Sequence, residues 1–263
     1  MVNQPTITIC ALLYGNYPQL AEVFLSKLRL LLGTTSFKFR VYGNELSAAS
    51  ERFVNAFMHE AGQQLEMADL SPVNRRKYPV MRSAVYREPM LTTSHIMWLD
   101  DDAILLPHAP TQKAAEFEQW CQHLLAGADL VGSPRQIKIT SKQQDWIRSR
   151  WWYTGIERNP HDIVRFCNGS WWMASVDKLR KLDYPWPQLS HNGGDVMLGE
   201  AAYQQRLKVI YVTPPWVLVN AGLTGKPDGA PRRGVSERPI GMDFVAAGSE
   251  NPVGNPVYPK LEL

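Results

Sequence analysis

Residues 95–107 read HIMWLDDDAILLP, an apolar run that ends in three consecutive aspartates, Asp100, Asp101 and Asp102. The run wants burial, while three adjacent carboxylates repel one another and want water or a counter-charge. A chain that keeps both must bury a strand and open its carboxyl end onto a cleft. That is where α/β sheets place their ligands. A hard divalent cation, Mn2+ or Mg2+, would relieve the crowding and would bring a phosphate ester to a site that otherwise repels it. One of the three could instead accept hydrogen bonds from ribose hydroxyls. The plainer alternative is that one or two are helix caps or turn residues, positions that aspartate favours.

The flanking sequence supports the first picture. TITICALLYG (6–15), FKFRVYG (37–43), QLEMADL (64–70), HIMWL (95–99), ADLVGSP (128–134), IVRFCNGSWWMAS (163–175) and KVIYV (208–212) read as strands. Between them lie helical patterns at 17–32, capped by Asn16 with Pro18 in the first turn, at 47–62, at 79–91 with a bend near Pro89, and at 111–126. A short helix is expected in 176–187 and another from about Asp195 to 207; residues 142–160 are basic and aromatic, with no clear period. The alternation predicts one α/β domain, Rossmann-like, with a mainly parallel mixed sheet flanked by helices. Residues 214–263 are punctuated by Pro and Gly and read as a tail or lid.

Composition narrows the class further. With 263 residues, 44% hydrophobic and 20% charged, the chain can bury a core without staples. Cys10, Cys121 and Cys167 are far apart and form no C-x-x-C pair, which argues against a zinc knuckle or a disulfide framework and for a reducing compartment. No apolar run reaches membrane-spanning length, so a cytoplasmic protein is expected. A net charge of +3 permits an anionic partner without demanding one.

HIMWLDDDAIL resembles the aspartate motif of GT-A fold glycosyltransferases, family-2-like enzymes that use nucleoside-diphosphate sugars. The resemblance implies a ribose role for Asp100, a metal role for Asp102 shared with Asp100, and support from Asp101. It places the donor nucleotide near Leu13, Tyr14, Gly15 and Asn44. From RRKYPVMRSAVY, which supplies Arg75, Arg76, Lys77 and Arg82, it takes a basic donor contact, expected at Arg82. NGSWWMAS and the segment up to 213 resemble the acceptor side, which marks Gly169, Trp171, Trp172, His191 and Gly194. Residues 1–110 would then form the donor half and 111–213 the acceptor half. Many metal-dependent members supply a later histidine to the metal; after His191 this sequence has none.

Asp195 follows Gly193 and Gly194 at the expected start of a helix. The resemblance gives it the role of general base, taking the proton from the acceptor hydroxyl in an inverting displacement. The plainer alternative is a helix-start carboxylate steadied by the dipole. Glu200 is a reserve candidate. Arg232 and Arg233, with Arg238 and Lys226 nearby, could close over the leaving diphosphate. Trp146, Trp151, Trp152 and Tyr153, interleaved with Lys142, Arg148 and Arg150, could stack on an acceptor, with Trp152 the chosen contact, or could fill the core. The acceptor stays open among a saccharide, a protein side chain and a hydroxylated base in DNA. Two competing readings are a nucleotidyltransferase that makes the sugar nucleotide, disfavoured because the first turn carries only Gly15, and a non-catalytic binding module for carbohydrate or nucleic acid.

Overall fold

A computed structural model describes residues 5–105, 113–139, 141–158, 162–187, 189, 193–213 and 216–219. Its strands are β1 (Ile7–Tyr14), β2 (Phe37–Asn44), β3 (Leu65–Ser71), β4 (His95–Asp100), β5 (Ala103–Leu105), β6 (Leu130–Lys138), β7 (Ile163–Ser175), β8 (Val209–Tyr211) and β9 (Val217–Val219). Its helices are α1 (Pro18–Arg29), α2 (Ala48–Ala61), α3 (Lys77–Tyr86), α4 (Lys113–Leu125), α5 (Ser141–Arg148), α6 (Val176–Lys181) and α7 (Gly194–Gln204).

Seven strands form one sheet in the order β3-β2-β1-β4-β7-β6-β8. β3, β2, β1 and β4 run parallel, β7 runs antiparallel to both β4 and β6, and β8 returns parallel to β6. Sequence alternation along the central strands divides the core. Ile7, Ile9, Ala11 and Leu13 of β1 face one apolar layer with Met97 and Leu99 of β4; Cys10, Leu12 and Tyr14 face the other with Ile96 and Trp98. Helices cover both faces, which is why β1 and β4 read as unbroken apolar runs.

Local signals set most boundaries. Pro18 opens α1, although the cap position is Tyr17 rather than Asn16. Ser47 caps α2, its hydroxyl accepting from the Ser50 N–H at 3.2 Å. α3 starts two residues earlier than expected and stops at Tyr86 instead of bending through Pro89. Its C-cap, Arg87, is already extended, and Pro89 cannot sustain a helix at the residues before it. The unclear middle segment contains α5. Two elements escaped the pattern. Ala103–Leu105, directly after the aspartates, forms a strand paired with Val217–Val219, so part of the segment read as a Pro/Gly tail adds a strand at 217–219. All three cysteines are buried thiols. Among the described residues no helix is long and apolar enough to cross a membrane.

Candidate active site

The three aspartates leave the end of β4 beside β1 and β7, and all three are buried. Each meets a different neighbour. The Asp100 Oδ2 accepts from the Lys77 ammonium at 2.6 Å, and its Oδ1 from the Trp98 indole N–H at 2.9 Å. The Asp101 Oδ2 accepts from the Tyr14 backbone N–H at 3.3 Å, at the end of β1. The side chain of Asp102 is enclosed at the start of the β5 turn. The counter-charge that crowded carboxylates require therefore comes first from the protein's own lysine.

Lys77 is the first residue of α3, and the loop before it is fixed. The Asn44 side chain accepts from the Arg75 N–H and donates to the Arg76 carbonyl, both at 3.3 Å. Arg76 takes a left-handed conformation with φ 74°. The lysine then crosses to β7, where its Nζ also donates to the Gly169 carbonyl at 2.5 Å.

Asp195 and Lys77 meet over the same face of Gly169. A Cβ built on Gly169 would lie 3.2 Å from both the Asp195 Oδ2 and the Lys77 Nζ, so glycine leaves room for the two charged groups to approach each other. The Asp195 backbone N–H donates to the Tyr78 hydroxyl at 3.0 Å, and its Oδ1 accepts from the Val196 N–H at 3.0 Å. Gly193 turns the chain into α7 with φ 78°. A Cβ at Gly194 would come within 2.3 Å of the Tyr78 ring. Desolvation pushes the Asp195 carboxyl above the usual carboxylate range; attraction to Lys77 and backbone hydrogen bonds oppose the rise. The first two residues of α3, Lys77 and Tyr78, thus gather both carboxylates.

The other expected residues are placed as follows. Leu13 and Tyr14 point into the two core layers. Gly15 makes the turn at φ 58° and its carbonyl accepts from the Ser47 N–H. Asn44 is engaged with the loop that presents Lys77. Arg82, the expected donor contact, pairs with Asp183 at 2.9 Å and donates to the Pro185 carbonyl at 2.8 Å; the basic group at the aspartates is Lys77. Trp152, Trp171 and Trp172, the expected acceptor contacts, are buried in the core layers. Trp171 donates to the Ser133 hydroxyl at 2.8 Å, and Trp172 stacks on Trp98. Glu200, the reserve base, is buried in an ion pair with Arg158 at 2.7 Å. His191, Lys226, Arg232, Arg233 and Arg238 lie outside the described residues.

Two site residues were not singled out from sequence. Lys77 was one of four cations in a row of candidates, and Tyr78 was not considered. The usable signal was positional: a helix that follows a parallel strand starts at the carboxyl edge of the sheet, so its first residues reach the site before Arg82 does.

The oxygen chemistry suits a hard cation, since Asp100 and Asp102 are carboxylates at one strand end. Among the described residues, however, no three His, Cys, Asp or Glu side chains converge as a metal-holding group. Both Asp100 oxygens are already hydrogen-bonded.

A mixed sheet with its carboxylates at the β4 edge and one antiparallel strand, β7, beside it defines the GT-A type of α/β fold. Solved structures share it. A mannosyltransferase from Pyrobaculum calidifontis, in complex with GDP-Man and Mn2+, matches 80% of this chain at 14% identity with a TM-score of 0.50. Residues 1–349 of TarS from S. aureus match 84% at 10% identity, also with a TM-score of 0.50. The chain spans 55% and 62% of the length of those two structures. No family model matches the chain, and no curated protein does.

Proposed function

We propose that the protein transfers a hexosyl or pentosyl group from a nucleoside-diphosphate sugar to an acceptor hydroxyl, with inversion. The observation that carries this reading is the bridge made by Lys77, which joins Asp100 to Gly169 while Asp195 lies against the same face of that glycine. One carboxylate is neutralised and buried; the other is ionisable, partly exposed and opens a helix. Two carboxyl groups with opposed environments are the usual sign of divided roles.

Asp195 takes the acceptor O–H proton as that oxygen attacks the anomeric carbon. The bond from that carbon to the diphosphate oxygen breaks on the opposite face, which inverts the centre. Burial raises the Asp195 pKa, which makes it a stronger base, and attraction to Lys77 opposes the rise. Asp100 and Asp101 face the donor ribose. Asp102 would hold Mn2+ or Mg2+, an ion whose charge would offset that developing on the leaving diphosphate. The fold shared with a mannosyltransferase solved with GDP-Man and Mn2+ supports this reading. In it residues 1–110 form a donor half and 111–213 an acceptor half; Arg232 and Arg233 lie outside the described residues.

Asp195→Asn tests the proposal. A screen of nucleoside diphosphates and sugar nucleotides by thermal shift, with and without Mn2+, identifies the donor. The variant should be stabilised by that donor as the parent is, yet transfer about 10²–10⁴-fold more slowly. Unimpaired transfer by Asp195→Asn would end the assignment.

A further inference from the structure

The β6–β7 ribbon extends past the short strand β8. Arg135 lies opposite Phe166 in the register and Gln136 opposite Arg165, so the two arginines leave opposite faces of the ribbon. Both nevertheless line a cavity of about 570 Å³ with Gln136 and Tyr211. A second cavity, of about 320 Å³, is lined by Arg165 and Tyr211 as well and reaches Arg158 and Tyr203 on α7. The two adjacent cavities make a groove that shares Arg165 and Tyr211.

Two of its arginines carry charge without a partner carboxylate in the lining. No Asp or Glu lines either cavity among the described residues. Arg158 is paired with the buried Glu200. The side chains of Arg135 and Arg165 are exposed and make no ion pair or hydrogen bond among the described residues. Aromatic faces accompany the charge. Tyr203 is 45% exposed and carries the Arg158 guanidinium 3.9 Å from its ring centre, and Tyr211 is half-buried at the junction of the cavities.

We infer that this groove binds a nucleic-acid strand, its phosphates on Arg135 and Arg165 and a base against Tyr211. Arginines alone would suit any polyanion; arginines alternating with tyrosine faces suit one that also carries flat bases. The placement relates the groove to Asp195. Helix α7 begins at the base and lines the groove with Gly199 and Tyr203. On β7, Arg165 precedes Gly169 by four residues, roughly 13 Å of strand. A nucleotide extruded toward Asp195 would therefore stay continuous with a backbone held at Arg165. As an assignment of the acceptor this rests on the proposed glycosyl transfer; as a binding site it does not.

The test uses the full chain and a fluorescein-labelled DNA of roughly 16 nucleotides, single-stranded or duplex, read by anisotropy from roughly 50 to 200 mM salt. Binding should weaken linearly in log salt. Arg135→Ala and Arg165→Ala should each flatten the slope by about 0.7–0.9 and weaken both forms without changing the thermal midpoint. Polyglutamate at equal charge should not displace the strand. The inference is overturned by no binding at the lowest salt, by an unchanged slope in the double variant, or by equal competition from polyglutamate. Stabilisation by sugar nucleotide, read on the same samples, reports on the transfer reading alone, so the two proposals fail separately.

Discussion

Replacing Lys77 by Met is the sharpest perturbation of the site. The ammonium lies 2.6 Å from the Asp100 carboxylate, and the two side chains are 7% and 3% exposed. At an effective dielectric of about 20, that separation corresponds to about 6 kcal/mol of gross attraction. Desolvation of both groups offsets much of it, so the intact pair contributes little net stability. Removing one partner is different, because it strands a buried charge at a cost of about 3–5 kcal/mol. Lys77→Met should therefore lose about that much by urea unfolding. Asp100→Asn should also destabilise, leaving the ammonium beside a neutral amide. The double variant should lose at least about 2 kcal/mol less than the sum of the singles, since neither charge is then left alone. Free energies that add to within about 0.5 kcal/mol would refute the argument that Lys77 is what makes the aspartate cluster tolerable. The same cycle, read by sugar-nucleotide affinity, reports whether Asp100 meets the donor only when Lys77 holds it.

Two more outcomes follow from the geometry around Asp195. Because burial raises its pKa, the rate should fall as pH drops through a value above the ordinary carboxylate range. Lys77→Met, which removes the opposing attraction, should move that acid limb to higher pH; a pH profile of kcat/KM checks both. The folded state binds this proton more tightly than the unfolded chain, so Asp195's own contribution to unfolding free energy is full below its unfolded pKa and is lost as pH rises through its folded pKa. Gly194→Ala forces a methyl to within 2.3 Å of the Tyr78 ring and should cost about 1–3 kcal/mol in thermal or urea unfolding.

The parts of the fold that announced themselves in sequence are those where one face or one turn decides the outcome. The β1 and β4 runs, Pro18 at the start of α1 and the helix opening near Asp195 are local, and neighbouring residues specify them. The misplaced residues share another property: their environment is supplied from far along the chain. For Trp171 and Trp172 the sequence left core and acceptor roles open; β4 and β6 flank β7 and helices close both faces, so the two indoles enter opposite core layers. Arg82 and Lys77 are equivalent in composition and differ only in helix position. Five residues turn Arg82 toward Asp183, while Lys77 at the first position reaches β4 and β7. The strand pairing of 103–105 with 217–219 spans more than a hundred residues and leaves no periodic trace.

The sequence suggested a frontier near residue 110 between a donor half and an acceptor half, and the site crosses it. β4 carries the aspartates from the first part, and β7 carries Gly169 from the second; they are adjacent strands of one sheet. Lys77 and Tyr78 come from the first part, and they fix Gly169 and Asp195 of the second at 2.5 and 3.0 Å. Under the proposed transfer, a change in the loop that Asn44 holds would be felt on both sides of the reaction centre. Donor and acceptor geometry would then be coupled through a single helix N-terminus, and substitutions there should not separate into those that weaken binding and those that slow transfer.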